Sequence, residues 1–252
     1  MSGVNIIVMI ALAVLGLVLG PLECKLLNVI PAGWLCDYDE KPTEELLSGK
    51  RFKLFPHGAV MGVSAAAALS LTVLTTGVTV QLPFVILLTV ILLAVSASDA
   101  KYTIIPDQFT VAAAIISIIF AVVDLFGEQI FISKWYQPLL GGIIGGGVLI
   151  LLDILSTLLL KKAGFGFGDV KLLAALGLFF GVKHTVILMV LSFLIATLHF
   201  LIIIFSGKAR KGIYMPMGPY ICIAALLTII LQPKFAGLFE MYRILLSMDV
   251  LP

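Results

Sequence analysis

Charge is what this sequence has least of. Only 12% of its 252 residues are Asp, Glu, Lys or Arg, while 61% are hydrophobic. A soluble domain of this length would expose far more charge, and the mean hydropathy of +1.19 excludes one. Lipid is therefore the expected solvent. In lipid every backbone polar group must be satisfied within the chain, which points to helix packed on helix. Cysteine is scarce as well. Cys24, Cys36 and Cys222 are too few and too scattered for a disulfide framework or a four-ligand zinc site. Histidine occurs three times, as His57, His184 and His199, and no serine or cysteine is convincingly paired with one as a nucleophile. The net charge of +2 says little by itself. The basic trio Lys208, Arg210 and Lys211 reads as an anchor to anionic lipid, not as a nucleic-acid patch.

What the sequence does have is long apolar runs. A membrane helix needs about 20 such residues. Eight spans fit, at 4–22, 57–77, 83–98, 109–126, 138–160, 170–182, 185–206 and 216–232, and the stretch 170–206 also reads as one broken hairpin. The first run resembles a secretory signal, but no basic residue precedes it and no small-residue cleavage site follows, so a retained helix with its N-terminus outside is expected. Connecting eight spans puts twelve of the sixteen Lys and Arg residues on one side, in 23–56, 99–108, 161–171 and 207–215. The positive-inside rule makes that side cytoplasmic. The segment 23–56 is the only sizeable polar stretch and is expected to form a structured loop or a helical hairpin on the membrane surface.

Carboxylates at membrane depth are costly, and so they are functional candidates. Asp124, Glu128, Glu240 and Asp249 fall on the outer side and read as solvated. Asp99, Asp107, Asp153 and Asp169 remain. Asp99 ends the third span, Asp107 precedes the fourth, and Asp169 opens the sixth. All three reach the same cytoplasmic rim. Two carboxylates a few ångströms apart cannot easily both ionise, so Asp99 and Asp169 would share a proton and titrate as a unit. The ionised member would take a proton from water while the other polarised a scissile carbonyl. The plainer alternative is that they are helix caps, which the macrodipole also favours. Asp153 either bonds across helices or supports the cavity.

Glycine carries the next signal. Gly164, Gly166 and Gly168 alternate with Phe165 and Phe167 ahead of Asp169. Such a run does not favour helix. At membrane depth it must line a cavity or be buried in protein. It could pair with an extended peptide and present it to Asp169, or it could be a plain loop. A second cluster, Gly141, Gly142, Gly145, Gly146 and Gly147, holds overlapping G-x-x-x-G pairs and reads as helix packing.

Three of these stretches resemble one family. Gly166-Phe167-Gly168-Asp169 fits the G-x-G-D motif of intramembrane-type aspartyl peptidases, and its continuation to Gly177 is similar to the type IV prepilin peptidases. Asp99 through Pro106-Asp107 resembles that family's first aspartate motif. Met215-Pro216-Met217-Gly218-Pro219-Tyr220 is similar to its Pro-Phe-Gly-Pro-Tyr segment, with Met217 in place of Phe. The resemblance implies an all-α polytopic membrane protein of about eight transmembrane helices, the GxGD aspartyl peptidase bundle. Residues 1–56 would be a first helix and a shortened cytoplasmic loop, and residues 57–252 the membrane peptidase domain.

The resemblance further implies removal of the short basic leader from prepilins or pseudopilins, at the cytoplasmic face of the plasma (inner) membrane. Asp99 and Asp169 would be the catalytic dyad. Asp107, Gly166, Phe167, Gly168, Lys171, Pro216, Gly218 and Pro219 would support it or bind substrate. Bifunctional members also methylate the new N-terminus and bind zinc through paired cysteines in a longer loop. Here Cys24 and Cys36 stand twelve apart with no C-x-x-C, which argues against zinc and puts methylation in doubt. S-adenosylmethionine would be a cofactor only if methylation is retained; otherwise none is expected. Leader peptides and lipid are the expected partners, with no nucleic acid. Trp34 to Glu40 has no role derivable from sequence, although its acids could attract a basic leader or form a solvated face. The rival reading is a proton-coupled membrane transporter, drawn from Asp153, His199 and the broken glycine segment.

Overall fold

The computed structural model describes residues 3–36, 41–161, 164–207 and 215–248. The acidic residues Asp37, Asp39 and Glu40, together with Lys162, the trio Lys208, Arg210 and Lys211, Asp249 and the side chain of Glu240, lie outside the described residues. The helices are α1 (Gly3–Val29), α2 (Glu44–Leu47), α3 (Ala59–Thr76), α4 (Leu82–Tyr102), α5 (Asp107–Phe126), α6 (Gln137–Leu160), α7 (Phe167–Phe205) and α8 (Gly218–Met248). Seven helical runs among the described residues are long and apolar enough to cross a membrane. Large apolar side chains such as Ile7, Leu151 and Phe205 are exposed on the bundle's outside, as a lipid-facing surface requires.

The 39 residues of α7 are not one rod. Gly181 breaks the run with φ 63° and ψ −177°, a conformation closed to residues with a Cβ. The chain folds back there. A Cβ built on Gly145 of α6 would sit 2.6 Å from the Leu173 carbonyl oxygen and 3.3 Å from Thr185, which belong to opposite halves of α7. Likewise Phe165 meets Phe193 ring to ring at 6.0 Å. The bundle therefore has eight helical legs, and the broken-hairpin reading of 170–206 describes two of them. The first leg, residues 167–180, is about 21 Å long at 1.5 Å per residue. It is too short for a hydrocarbon layer of about 30 Å.

The helices approach as closely as the glycines permit. A Cβ on Gly141 or Gly177 would run into the other's carbonyl oxygen, so α6 and α7 meet backbone to backbone. The G-x-x-x-G reading holds. The same device seats α1 on α3, where Gly16 and Gly20 lie against Ala66 and Gly62. The interior is apolar and continuous, with Phe120 stacked on Phe179 at 3.8 Å and Phe131 and Phe180 edge-on around them.

Two expectations are corrected here. Helix α1 runs past residue 22 to Val29, so Glu23 is not in the polar loop but within the helix, 2% exposed, and neither carboxylate oxygen has a hydrogen-bond partner among the described residues. Asp124 is not solvated but fully buried. It accepts hydrogen bonds from the Ile130, Phe131 and Ile132 amides at 2.9, 2.9 and 2.7 Å and from the Gln81 side chain at 3.2 Å. The outer loop folds back over the end of α5, and Asp124 satisfies the amides that fold would orphan. Glu128, four residues on, is exposed as expected.

Candidate active site

The broken start of α7, the end of α4 and the polar loop after α1 gather at one end of the bundle. Together they enclose a cavity of about 400 Å³. Its walls include Asp99, Thr103 to Gln108, Gly166 to Asp169 and Lys171, joined by Gly33, Trp34 and Cys36. Asp99 and Asp169 therefore face a common space although seventy residues separate them. Each is only 4% exposed.

Their immediate partners differ. Asp99 sits in the last turn of α4 and accepts a hydrogen bond from the Gly218 amide at 2.8 Å. A Cβ at position 218 would lie 2.6 Å from the Asp99 Oδ2 atom, so only glycine lets the start of α8 deliver its amide here. Asp169 sits in the first turn of α7. Its Oδ1 atom is buried and has no hydrogen-bond partner among the described residues. Both carboxylates border the same cavity. A carboxylate pair with one satisfied member and one open oxygen can position and deprotonate a water.

The surrounding sequence candidates fall into place around the pair. Lys171 Nζ holds both oxygens of Asp107, at 2.7 and 2.8 Å, and lies over the Phe167 ring at 4.9 Å. That ion pair ties the start of α5 to the start of α7. Gly168 lies against Ile105, where an added Cβ would sit a tight 3.0 Å from the isoleucine side chain. Gly166 is extended, with φ −73° and ψ 143°, and its carbonyl accepts the Asp169 amide at 3.1 Å. Gly218 reaches Asp99 through its amide, whereas Pro216 and Pro219 do not line the cavity.

The loop wall was missed by sequence reasoning. Arg51 is buried and donates to the carbonyls of Leu46, Leu27 and Ile30 at 2.8, 3.1 and 2.7 Å, closing the loop onto the end of α1. Asn28 grips the backbone of Arg51 and Phe52 from the other side. Lys101, two residues beyond Asp99, binds Glu45 at 2.6 Å and the Arg51 carbonyl. A polar loop with a lone buried arginine and basic α4 terminus was the available signal. The cysteines lie on separate elements: Cys24 in α1 donates to the Phe52 carbonyl, Cys36 lines the cavity, and Cys222 is buried in α8. Among the described residues no three His, Cys, Asp or Glu side chains gather into a metal-binding group.

Fold and site together define an all-α polytopic membrane protein with a recessed pair of aspartates. Residues 86–203, which carry both aspartates and most of α4 through α7, match the type IV leader peptidase family. It is 33% identical over 144 residues to a prepilin leader peptidase/N-methyltransferase of Aeromonas salmonicida, covering 55% of this chain and 46% of that one. It is 32% identical over 148 residues to the protein of that name from Pseudomonas aeruginosa, covering 59% and 49%. The chain thus spans about half the length of the curated relatives it matches. No solved structure matches it.

Proposed function

We propose that this protein is a membrane aspartyl endopeptidase that removes the short basic leader from prepilins or pseudopilins at the cytoplasmic face of the inner membrane. The observation that carries it is the burial of Asp99 and Asp169 in one cavity beside a non-helical glycine segment that is extended at Gly166. The pair holds one proton between its members. The ionised carboxylate takes a proton from water as the water attacks the scissile carbonyl carbon, and the protonated carboxyl donates to the carbonyl oxygen. Collapse of the tetrahedral species breaks the C–N bond, and the proton taken from water passes to the leaving amine. Neither step forms a covalent enzyme intermediate.

The match of residues 86–203 to the leader peptidase family and the names of the relatives support the substrate class. The excess of Lys and Arg at the cavity's end of the bundle supports its cytoplasmic orientation. The groups that suggested a transporter are engaged otherwise: Asp153 bonds backbone amides and His199 bonds Tyr220. To test the peptidase, membranes carrying the wild-type chain are mixed with a prepilin and the new N-terminus is read by mass. The expected product lacks the leader, and any methyl group adds its mass. Asp99→Asn and Asp169→Asn should insert normally and cut nothing. Cleavage by either variant would remove the dyad from the mechanism.

A further inference from the structure

Asp153 lies on α6 two turns before its end, inside a span otherwise free of charge. A carboxylate there is costly unless it is used. It is used: Asp153 Oδ1 accepts the amides of Gly164 and Phe165 at 2.7 and 3.1 Å. The intervening reversal passes through Lys161, in the left-handed region at φ 55°. Gly164 also presses on Ser156, where a Cβ would sit 2.9 Å from the serine side chain. Residue 153 is seven residues below the end of α6, so the chain re-enters the bundle by about 10 Å after leaving it. The first leg of α7 falls short of the hydrocarbon thickness by a similar length. The glycine segment fills that gap.

The segment is thus pinned at two points. Asp153 holds its beginning through backbone hydrogen bonds, and Ile105 holds its end at Gly168. Between them Gly166 and Phe167 line the catalytic cavity. Asp153 itself does not line the cavity, so it acts only through the segment. The start of α7 is separately fixed by the Lys171–Asp107 ion pair, which leaves Asp169 in place if the segment's beginning is released. We infer that Asp153 is a positioning residue whose carboxylate moors the re-entrant glycine segment along which a substrate peptide is laid. This rests on the peptidase reading for its kinetic consequence, but not for its structural one.

Two measurements on the purified full-length chain test it. The first is amide hydrogen exchange over residues 161–168 in wild type, Asp153→Ala and Asp153→Asn. Asp153→Ala should speed exchange of the Gly164 and Phe165 amides at least tenfold. Asp153→Asn keeps an acceptor oxygen and should stay near wild type. The second is cleavage of a prepilin by the same three proteins. Asp153→Ala should raise KM about tenfold with kcat changed less than threefold, and Asp153→Asn should restore most of the loss. Unchanged exchange in Asp153→Ala overturns the inference, as does an Asn variant as impaired as the Ala variant. If wild type cuts no prepilin while exchange responds as stated, the peptidase reading fails and the mooring stands.

Discussion

At the scale of single residues, the site is governed by how near one atom lies to another. Gly218 illustrates this. Adding one methyl group puts a carbon 2.6 Å from Asp99 Oδ2, so either the carboxylate or the start of α8 must move. A displacement of about 1 Å at a catalytic group can cost on the order of 10²-fold in rate. Gly218→Ala should therefore lower cleavage by about that factor while leaving insertion intact, measured as initial rate on a fixed prepilin. Asp124 belongs to stability instead. Its four hydrogen bonds close the outer loop far from the dyad. Removing it orphans three backbone amides and a side-chain amide in a buried place. Asp124→Ala should cost roughly 3 kcal/mol or more, seen as a lowered melting temperature in detergent. That Asp99 and Asp169 share one site was legible because a carboxylate at membrane depth needs a reason to be there. Asp124 was misread because its burial depends on a loop folding back, which hydropathy does not encode.

Among the elements, the polar loop after α1 changes most in meaning. From sequence it was a structured loop or a helical hairpin on the membrane surface, with no part assigned to it in the site. In the fold it is a wall of the cavity, held by Arg51 and by the Lys101–Glu45 pair. Its placement depends on hydrogen bonds between positions more than twenty residues apart, such as Asn28 with Phe52, and no local pattern reveals those. Trp34→Ala should raise KM several-fold with kcat little changed, in the same cleavage assay. The Lys101 ammonium holds the exposed Glu45 carboxyl below its ordinary value of 4.5, by hydrogen bond and by charge. A depressed carboxylate contributes stability above its unfolded value and loses it as pH falls through the folded one. The latch should thus be complete above about pH 4.5 and release below it. Trp34 fluorescence followed through that range should shift in wild type and remain flat in Glu45→Gln. The helices themselves were largely legible, because apolar length and the spacing of Gly141 and Gly145 are local properties. Helix α1 was cut short at Glu23 because a charged residue was taken to end the span. The helix continues through Glu23, which is buried in the bundle instead.

Over the whole molecule, the gathering of three distant segments at one end is what sequence could only suggest. Shared membrane depth placed Asp99 and Asp169 at one rim, but only the bundle brings them to one cavity. The sidedness proposed above is open to direct measurement. A cysteine at Lys53 in a background lacking Cys24, Cys36 and Cys222 should react with an impermeant thiol reagent only from the cytoplasmic side. One at Glu128 should react only from the opposite side. The reverse pattern would turn the cavity outward.

The first leg of α7 is short, yet none of residues 168–180 is exposed, so its neighbours stand between it and the acyl chains. A buried leg of about 21 Å imposes no mismatch on the bilayer. The glycine segment and the cavity take up the missing length inside the protein, where water can reach Asp99 and Asp169 without any thinning of the lipid. Under the proposed function, the cleavage rate should then vary little between vesicles of shorter and longer acyl chains.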